Sequence, residues 1–249
     1  MRPLMMLAFA LFSTQIGVFP AFSQAFEESD PLQYADIADL SAESSIIARV
    51  TIKEAIKVAP ERAPNAPQGT QRFYIVASTN ALIRGQGGVD ETIRYVIDLP
   101  LDGRGRAPKI KKKPFIIFAR RPSGGGGDNV QLVAKDAQIA WTPSREQRVR
   151  SLVRELLAHD APPAISRIAS AFHVPGTIIG ESQIFMETAT GSPISITVLK
   201  RDGQRKFWAV SLGEIVDEAA RAPIRNSLLW YRLACFLPLQ LPANALASG

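Results

Sequence analysis

Only one cysteine, Cys235, and two histidines, His159 and His173, occur among the 249 residues. A lone cysteine cannot staple the chain to itself, so the fold must stand on its core. Structural zinc usually needs four Cys or His ligands; three such residues far apart argue against that site, and no metal or cofactor is expected. Counting alone leaves a carboxylate site for a hard cation open. The sequences G-x-S-x-G, S-x-x-K and H-E-x-x-H are all missing, so no local motif marks a nucleophile or a zinc hydrolase. Beyond the N-terminus no window approaches the ~20 apolar residues that a membrane-crossing helix needs. Charged residues make up 21% and hydrophobic ones 46%, a globular balance that excludes a disordered chain.

The N-terminus carries what the rest lacks. Arg2 precedes an apolar run from Leu4 to Phe12, and Ser23-Gln24-Ala25 offers a small-x-small exit. Residues 1–25 read as a signal peptide cleaved after Ala25, with Ala21-Phe22-Ser23 as a second exit and an uncleaved anchor as the alternative. The expected location is periplasmic or secreted, with no membrane span after cleavage. Residues 26–43 read as a mobile lead-in holding a short helical turn.

Period-two alternation follows. Ile46, Ala48, Val50 and Ile52 lie on one side of a strand; Phe73, Ile75 and Ala77, then Ile93, Tyr95 and Ile97, repeat the rhythm. Pro100 points to an edge or strand end, and Asp102-Gly103 to a turn. The run FIIFA suits a strand buried on both faces, and VQLVAKDAQIAW two short strands. Residues 44–141 thus form a strand-rich module whose nearest architecture is a small antiparallel barrel of the OB type.

Within residues 141–160, Val149, Leu152, Val153, Leu156 and Leu157 form one helical stripe, with Thr142 as N-cap and Pro143 at the first turn. This helix is expected to serve both sheets. Three or four antiparallel strands follow, with Asp202-Gly203 as the strongest hairpin signal. A helix is expected after Leu212, opened by Ser211 and Glu214 at capping-box spacing, and another over residues 223–237 with Ile224, Leu228, Tyr231 and Cys235 on its stripe. Cys235 reads as a buried thiol, with an intermolecular bridge as the alternative. Residues 142–237 make a helix-on-antiparallel-sheet module with C-terminal helices, and residues 238–249 a flexible tail. The fold class is α+β.

Charge is unevenly spread. Arg104, Arg106, Lys109, Lys111, Lys112, Lys113, Arg120 and Arg121 contribute +8 with no acid between them. The formal +6 falls to +5 without Arg2, so the remainder of the processed chain is −3. Such a ridge attracts anions: a lipid headgroup, an acidic glycan or an acidic protein surface. Its bland explanation is a solvated loop that guards an edge strand. Nucleic acid is disfavoured by compartment. The glycines at 124–127 precede a strand, not a helix, so they read as a hairpin loop and not as a phosphate cradle.

His159 sits at a helix C-terminus, where a cation is welcome. His173 with Ser182 or Ser170 offers a hydrolytic alternative, although the spacing is unspecific. Glu214, Asp217 and Glu218 sit where acids favour a helix start. Phe207, Trp208, Trp230, Tyr231 and Phe236 form either core or a pocket between the last hairpin and last helix.

The order of ALIRG, RYVIDLPLD, FIIFARR, SAFHVPG, WAVSLGEIVDEAA and WYRLAC resembles exported hypothetical proteins of alphaproteobacteria. The resemblance implies export and carries no activity, cofactor or residue role. The reading is an exported, non-catalytic binding or interaction module with a basic ridge for an anionic partner; the alternative is a periplasmic hydrolase built from scattered Ser, His and acidic residues.

Overall fold

The computed structural model describes residues 32–124, 127–176, 179–213, 220–237 and 240–241. The leader, residues 214–219 with Glu214, Asp217 and Glu218, and most of the tail lie outside the described residues.

Alternating apolar residues set the first sheet. Strands β1 (Ile46–Lys57), β2 (Thr70–Arg84), β3 (Thr92–Pro100), β4 (Pro114–Arg120) and β5 (Gln131–Leu132) run in the order β3-β2-β1-β4-β5, and β6 (Gln138–Ala140) pairs β4 beside β5. All of these pairings are antiparallel. The sheet curls until β3 meets the chain just before β5, where Arg94 and Asn129 form a parallel bridge. This six-stranded sheet is a nearly closed antiparallel barrel, the small-barrel architecture expected of the strand-rich module. Ile46, Val50, Ile75, Ile93, Tyr95, Ile117 and their neighbours fill it.

The FIIFA strand is buried on both faces, as its unbroken apolar run requires. Phe115, Ile117 and Ala119 point into the barrel, while Ile116 and Phe118 point out, beneath the helices. That outer layer holds α1 (Tyr34–Glu43), α2 (Pro143–Leu157) and α3 (Leu228–Phe236). The described part of the lead-in is therefore a ten-residue helix from Tyr34: Ile37, Ala38 and Leu40 are buried, and Asp36 accepts from the Gln33 N–H at 2.7 Å. Thr142 caps α2 as expected, its hydroxyl accepting from the Arg145 N–H at 3.2 Å.

The second sheet is a plain meander, β10-β9-β8-β7, of β7 (Ile165–Val174), β8 (Ile179–Thr188), β9 (Ile194–Arg201) and β10 (Phe207–Ser211). Asp202-Gly203 forms its last turn, with Gly203 at φ +68°, a left-handed conformation that glycine adopts without penalty.

The expectation that α2 serves both sheets is overturned. Val149, Leu152 and Val153 pack on the barrel, but no α2 residue joins the core of the second sheet, and Leu157 is exposed. The joining element is α3, whose apolar residues surround more of its circumference. Leu228 and Tyr231 enter the barrel-side core, and Leu229 and Leu233 pack against Ile168, Met186 and Ile194 of the second sheet. The same wedging corrects two more expectations. Ile224 precedes the helix and is exposed, and Cys235 lies on the outward flank, an exposed thiol and not a buried one. From Leu32 onward the chain belongs to one compact unit.

Candidate binding cleft in the barrel seam

β3 is an end strand of its sheet, and its alternation decides what its free edge offers. The Leu101 N–H donates toward β2, to the Gly69 carbonyl at 2.9 Å, so odd-numbered residues here bond that way. Arg94 faces oppositely: its N–H donates to the Asp128 carbonyl at 2.7 Å, and its own carbonyl accepts from the Val130 N–H at 2.9 Å. Two and four residues further on, Val96 and Asp98 turn their N–H and C=O groups to the same side. Among the described residues no backbone partner meets them. Pro100 then ends the edge with no N–H to offer.

Across from this edge run residues 129–138, and between the two walls lies a cavity of about 980 Å³. Its lining is mostly apolar, with Tyr74, Tyr95, Val96, Leu99 and Leu132 among the contributors. The two arginines of the strand walls are each paired with a carboxylate. Arg72 grips the cross-strand Asp98 with two hydrogen bonds, of 2.8 and 2.7 Å, which also raise the guanidinium's pKa. Arg94 pairs with Asp128. Burial raises the pKa of the Tyr95 phenol, and its neutral O–H donates to Gln138 Oε1 at 2.5 Å, joining β3 to β6 across the seam. A slot with apolar walls, paired ions and one bare strand edge is equipped to hold an extended chain.

The eight basic residues are all exposed and fall into two groups. Arg104, Arg106, Lys109, Lys111, Lys112 and Lys113 lie in the loop that leaves β3 at Pro100, the end of the seam's edge. That loop has a fixed shape. Asp102 accepts from the N–H groups of Arg104 and Arg106, both at 2.9 Å, and from the Arg106 guanidinium. These bonds, those from Arg106 foremost, hold the Asp102 carboxyl below its ordinary pKa. Ile110 is buried in the barrel as an anchor, and the Lys112 N–H donates to the Ile52 carbonyl at 2.8 Å. Arg120 and Arg121 sit at the far end of β4, about 20 Å away at strand rise. There Arg121 donates to the Gly88 carbonyl at 2.5 Å and ties down the β2–β3 connection.

The structure does bring His173 and Ser182 together: they are cross-strand partners in β7 and β8, with Nδ1 and Oγ 2.9 Å apart. The neighbouring acid, Glu181, accepts from Gln183 at 2.7 Å, and no described carboxylate orients the imidazole. Ser170 stands opposite Phe185 instead. His159 is exposed just past α2. The C-terminal aromatics part company: Trp230 and Tyr231 pack against the barrel-side core, Phe236 meets Tyr231 edge-on at 5.4 Å, and Phe207 and Trp208 lie exposed on the second sheet.

Among the described residues no helix is long and apolar enough to cross a membrane, and no group of three His, Cys, Asp or Glu residues is placed to hold a metal. Sequence reasoning missed the seam. Arg72, Arg94 and Asp98 belong to no local motif, and only Pro100 signalled an edge. No protein-family model matches the chain, and no match to a curated protein is found.

Proposed function

We propose that this chain is an exported, non-catalytic binding module that takes an extended acidic peptide segment into the barrel seam. The observation that carries the reading is the bare β3 edge at Val96 and Asp98 along an apolar slot of about 980 Å³. An added strand would satisfy those backbone groups, and backbone bonding gives affinity while the apolar walls select side chains. The six cations of the loop after Pro100 stand at the end of the slot, where they would steer and hold acidic residues. Export rests on the leader and on the resemblance to exported alphaproteobacterial proteins. For the lipid and glycan forms of the anionic partner the seam offers no comparable fit, since their chains do not complete a sheet.

Peptides selected from a displayed random library against the purified protein supply the test. Selected sequences should be acidic and extended, and should shift the amide resonances of Val96 and Asp98. Converting Lys111, Lys112 and Lys113 to Glu should weaken them about tenfold or more, with a strong dependence on salt. Peptides that bind without disturbing those amides would place the site elsewhere.

A further inference from the structure

The second sheet ends in a surface that the seam does not use. The β7–β8 and β9–β10 hairpins turn at the same end of the sheet. Val174, Glu181, Leu199 and Phe207 form one cross-strand row there, and alternation puts Phe172, Ile179 and Phe185 on the same face. This is the face turned away from α3, since Ile184, Ile196 and Val210 point the other way into the core. Phe172 and Phe185 stack with centroids 5.8 Å apart, and Val174, Phe207 and Ile179 are 56%, 48% and 46% exposed. Trp208 stands exposed on the opposite face at the same end. Scattered surface apolar residues need no explanation, but a cluster of this kind, broken only by Glu181, marks a contact surface.

Charge at the same tip identifies the contact. Lys200, Arg201, Arg205 and Lys206 are exposed around the last turn, with Asp202 as the single acid among them. None of the four cations has an ion-pair partner among the described residues. The order K-R-D-G-Q-R-K-F-W sets cations directly beside two large aromatic rings. Aromatic rings favour the boundary between headgroups and acyl chains, and Lys and Arg favour an anionic headgroup layer. The last turn lies at an end of the sheet, where its cations and rings can meet a plane together.

We propose that this tip docks on the headgroup layer of an anionic phospholipid bilayer, with Phe207 and Trp208 seated at the interface and the four cations over the headgroups. Docking there leaves the seam, in the other sheet, free for its own ligand. The proposal does not depend on what that ligand is.

The test uses the protein as its cells process it, with sedimentation on vesicles of phosphatidylglycerol and phosphatidylcholine in equal parts and on phosphatidylcholine alone. Binding should require phosphatidylglycerol and weaken as salt is raised. The pair Arg205→Glu and Lys206→Glu should reduce it at least tenfold, as should Phe207→Ser with Trp208→Ser, while charge reversal at Lys111, Lys112 and Lys113 should leave it within twofold. Brominated lipid should quench a part of the fluorescence that Trp208→Phe removes, a readout that stands even if the serine variants fold poorly. Three results each overturn the proposal: no vesicle binding, binding unchanged by the tip variants, or binding lost on reversal of the loop lysines.

Discussion

Glu146 shows how single side chains organise the barrel's outer surface. Its Oε2 accepts from the Trp141 indole at 2.6 Å and from Arg49 at 3.1 Å, and its Oε1 accepts from Arg150 at 2.9 and 2.7 Å. Burial alone would raise this carboxyl, but the hydrogen bonds from Trp141 and Arg150 and the charge of Arg49 outweigh it and lower its pKa. Arg49 also lies 5.3 Å from the centre of the Trp141 ring, so the strand, the indole and the helix are held as one cluster. His173 and Ser182 are the opposite case, a hydrogen-bonded pair to which no described carboxylate adds a third member. A nucleophilic serine needs its histidine oriented by a third group and donors for the oxyanion, and Glu181 is occupied by Gln183. The pair acts as a cross-strand contact worth a few tenths of a kcal/mol up to ~1 kcal/mol. A fluorophosphonate probe should therefore label the protein no more than it labels a Ser182→Ala variant, judged by intact mass. Specific labelling of Ser182 would restore the hydrolase reading.

At the level of elements, α3 is fastened by two phenols, one buried and one half-buried. Tyr231 donates to Asp39 of α1, and Tyr34 of α1 donates to Glu155 of α2 at 3.1 Å, where Glu155 also accepts from the Leu228 N–H that opens α3. Burial first, then the neighbouring carboxylates, raise both phenols well above their ordinary 10.0. The folded state thus keeps protons that the unfolded chain releases near pH 10.0, so this stabilisation is complete below that value and drains away as pH rises above it. Urea titrations at neutral and strongly alkaline pH should show a loss of stability that Tyr231→Phe makes shallower. At neutral pH the same variant should cost about 0.5–1.5 kcal/mol, the net worth of one hydrogen bond, because the exposed Asp39 can turn to water. A slope identical in the variant would remove Tyr231 from the account. None of this was legible beforehand. Strand alternation in β1 to β4, the Thr142 cap and the Asp202-Gly203 turn are local signals, readable one residue at a time. That Tyr231 meets Asp39 across 192 positions is a tertiary fact with no local trace. The seam was hidden for the same reason, since an edge strand and a paired strand share one pattern until the closing partner is known. The basic loop was visible because charge runs survive any fold.

For the molecule as a whole, the question is what makes two separately hydrogen-bonded sheets cooperative. No strand is shared between them, and the second sheet has its own core of Ile168, Met186, Ile194, Ile196 and Val210. Leu233 is the fully committed α3 side chain in that core, while Leu228 and Tyr231 on the same helix belong to the barrel-side core. Among the described residues the coupling therefore passes through a nine-residue helix. Truncating Leu233 to Ala should cost about 2–5 kcal/mol, the ordinary range for a buried leucine, yet its effect should be unequal. The barrel keeps the α1, α2 and β4 packing that Leu233 does not touch, whereas the second sheet loses part of the face that joins it to the rest. Hydrogen exchange should accordingly accelerate across β7 to β10 at conditions where β1, β2 and β4 stay protected, dividing one unfolding unit into two. Leu152→Ala on α2 is the matching control. It removes a buried residue of the barrel-side core alone, so it should speed exchange in β1 and β4 with no selective loss in the second sheet. If Leu233→Ala instead accelerates exchange uniformly, the sheets are coupled by more than α3, and the helix is one contact among several.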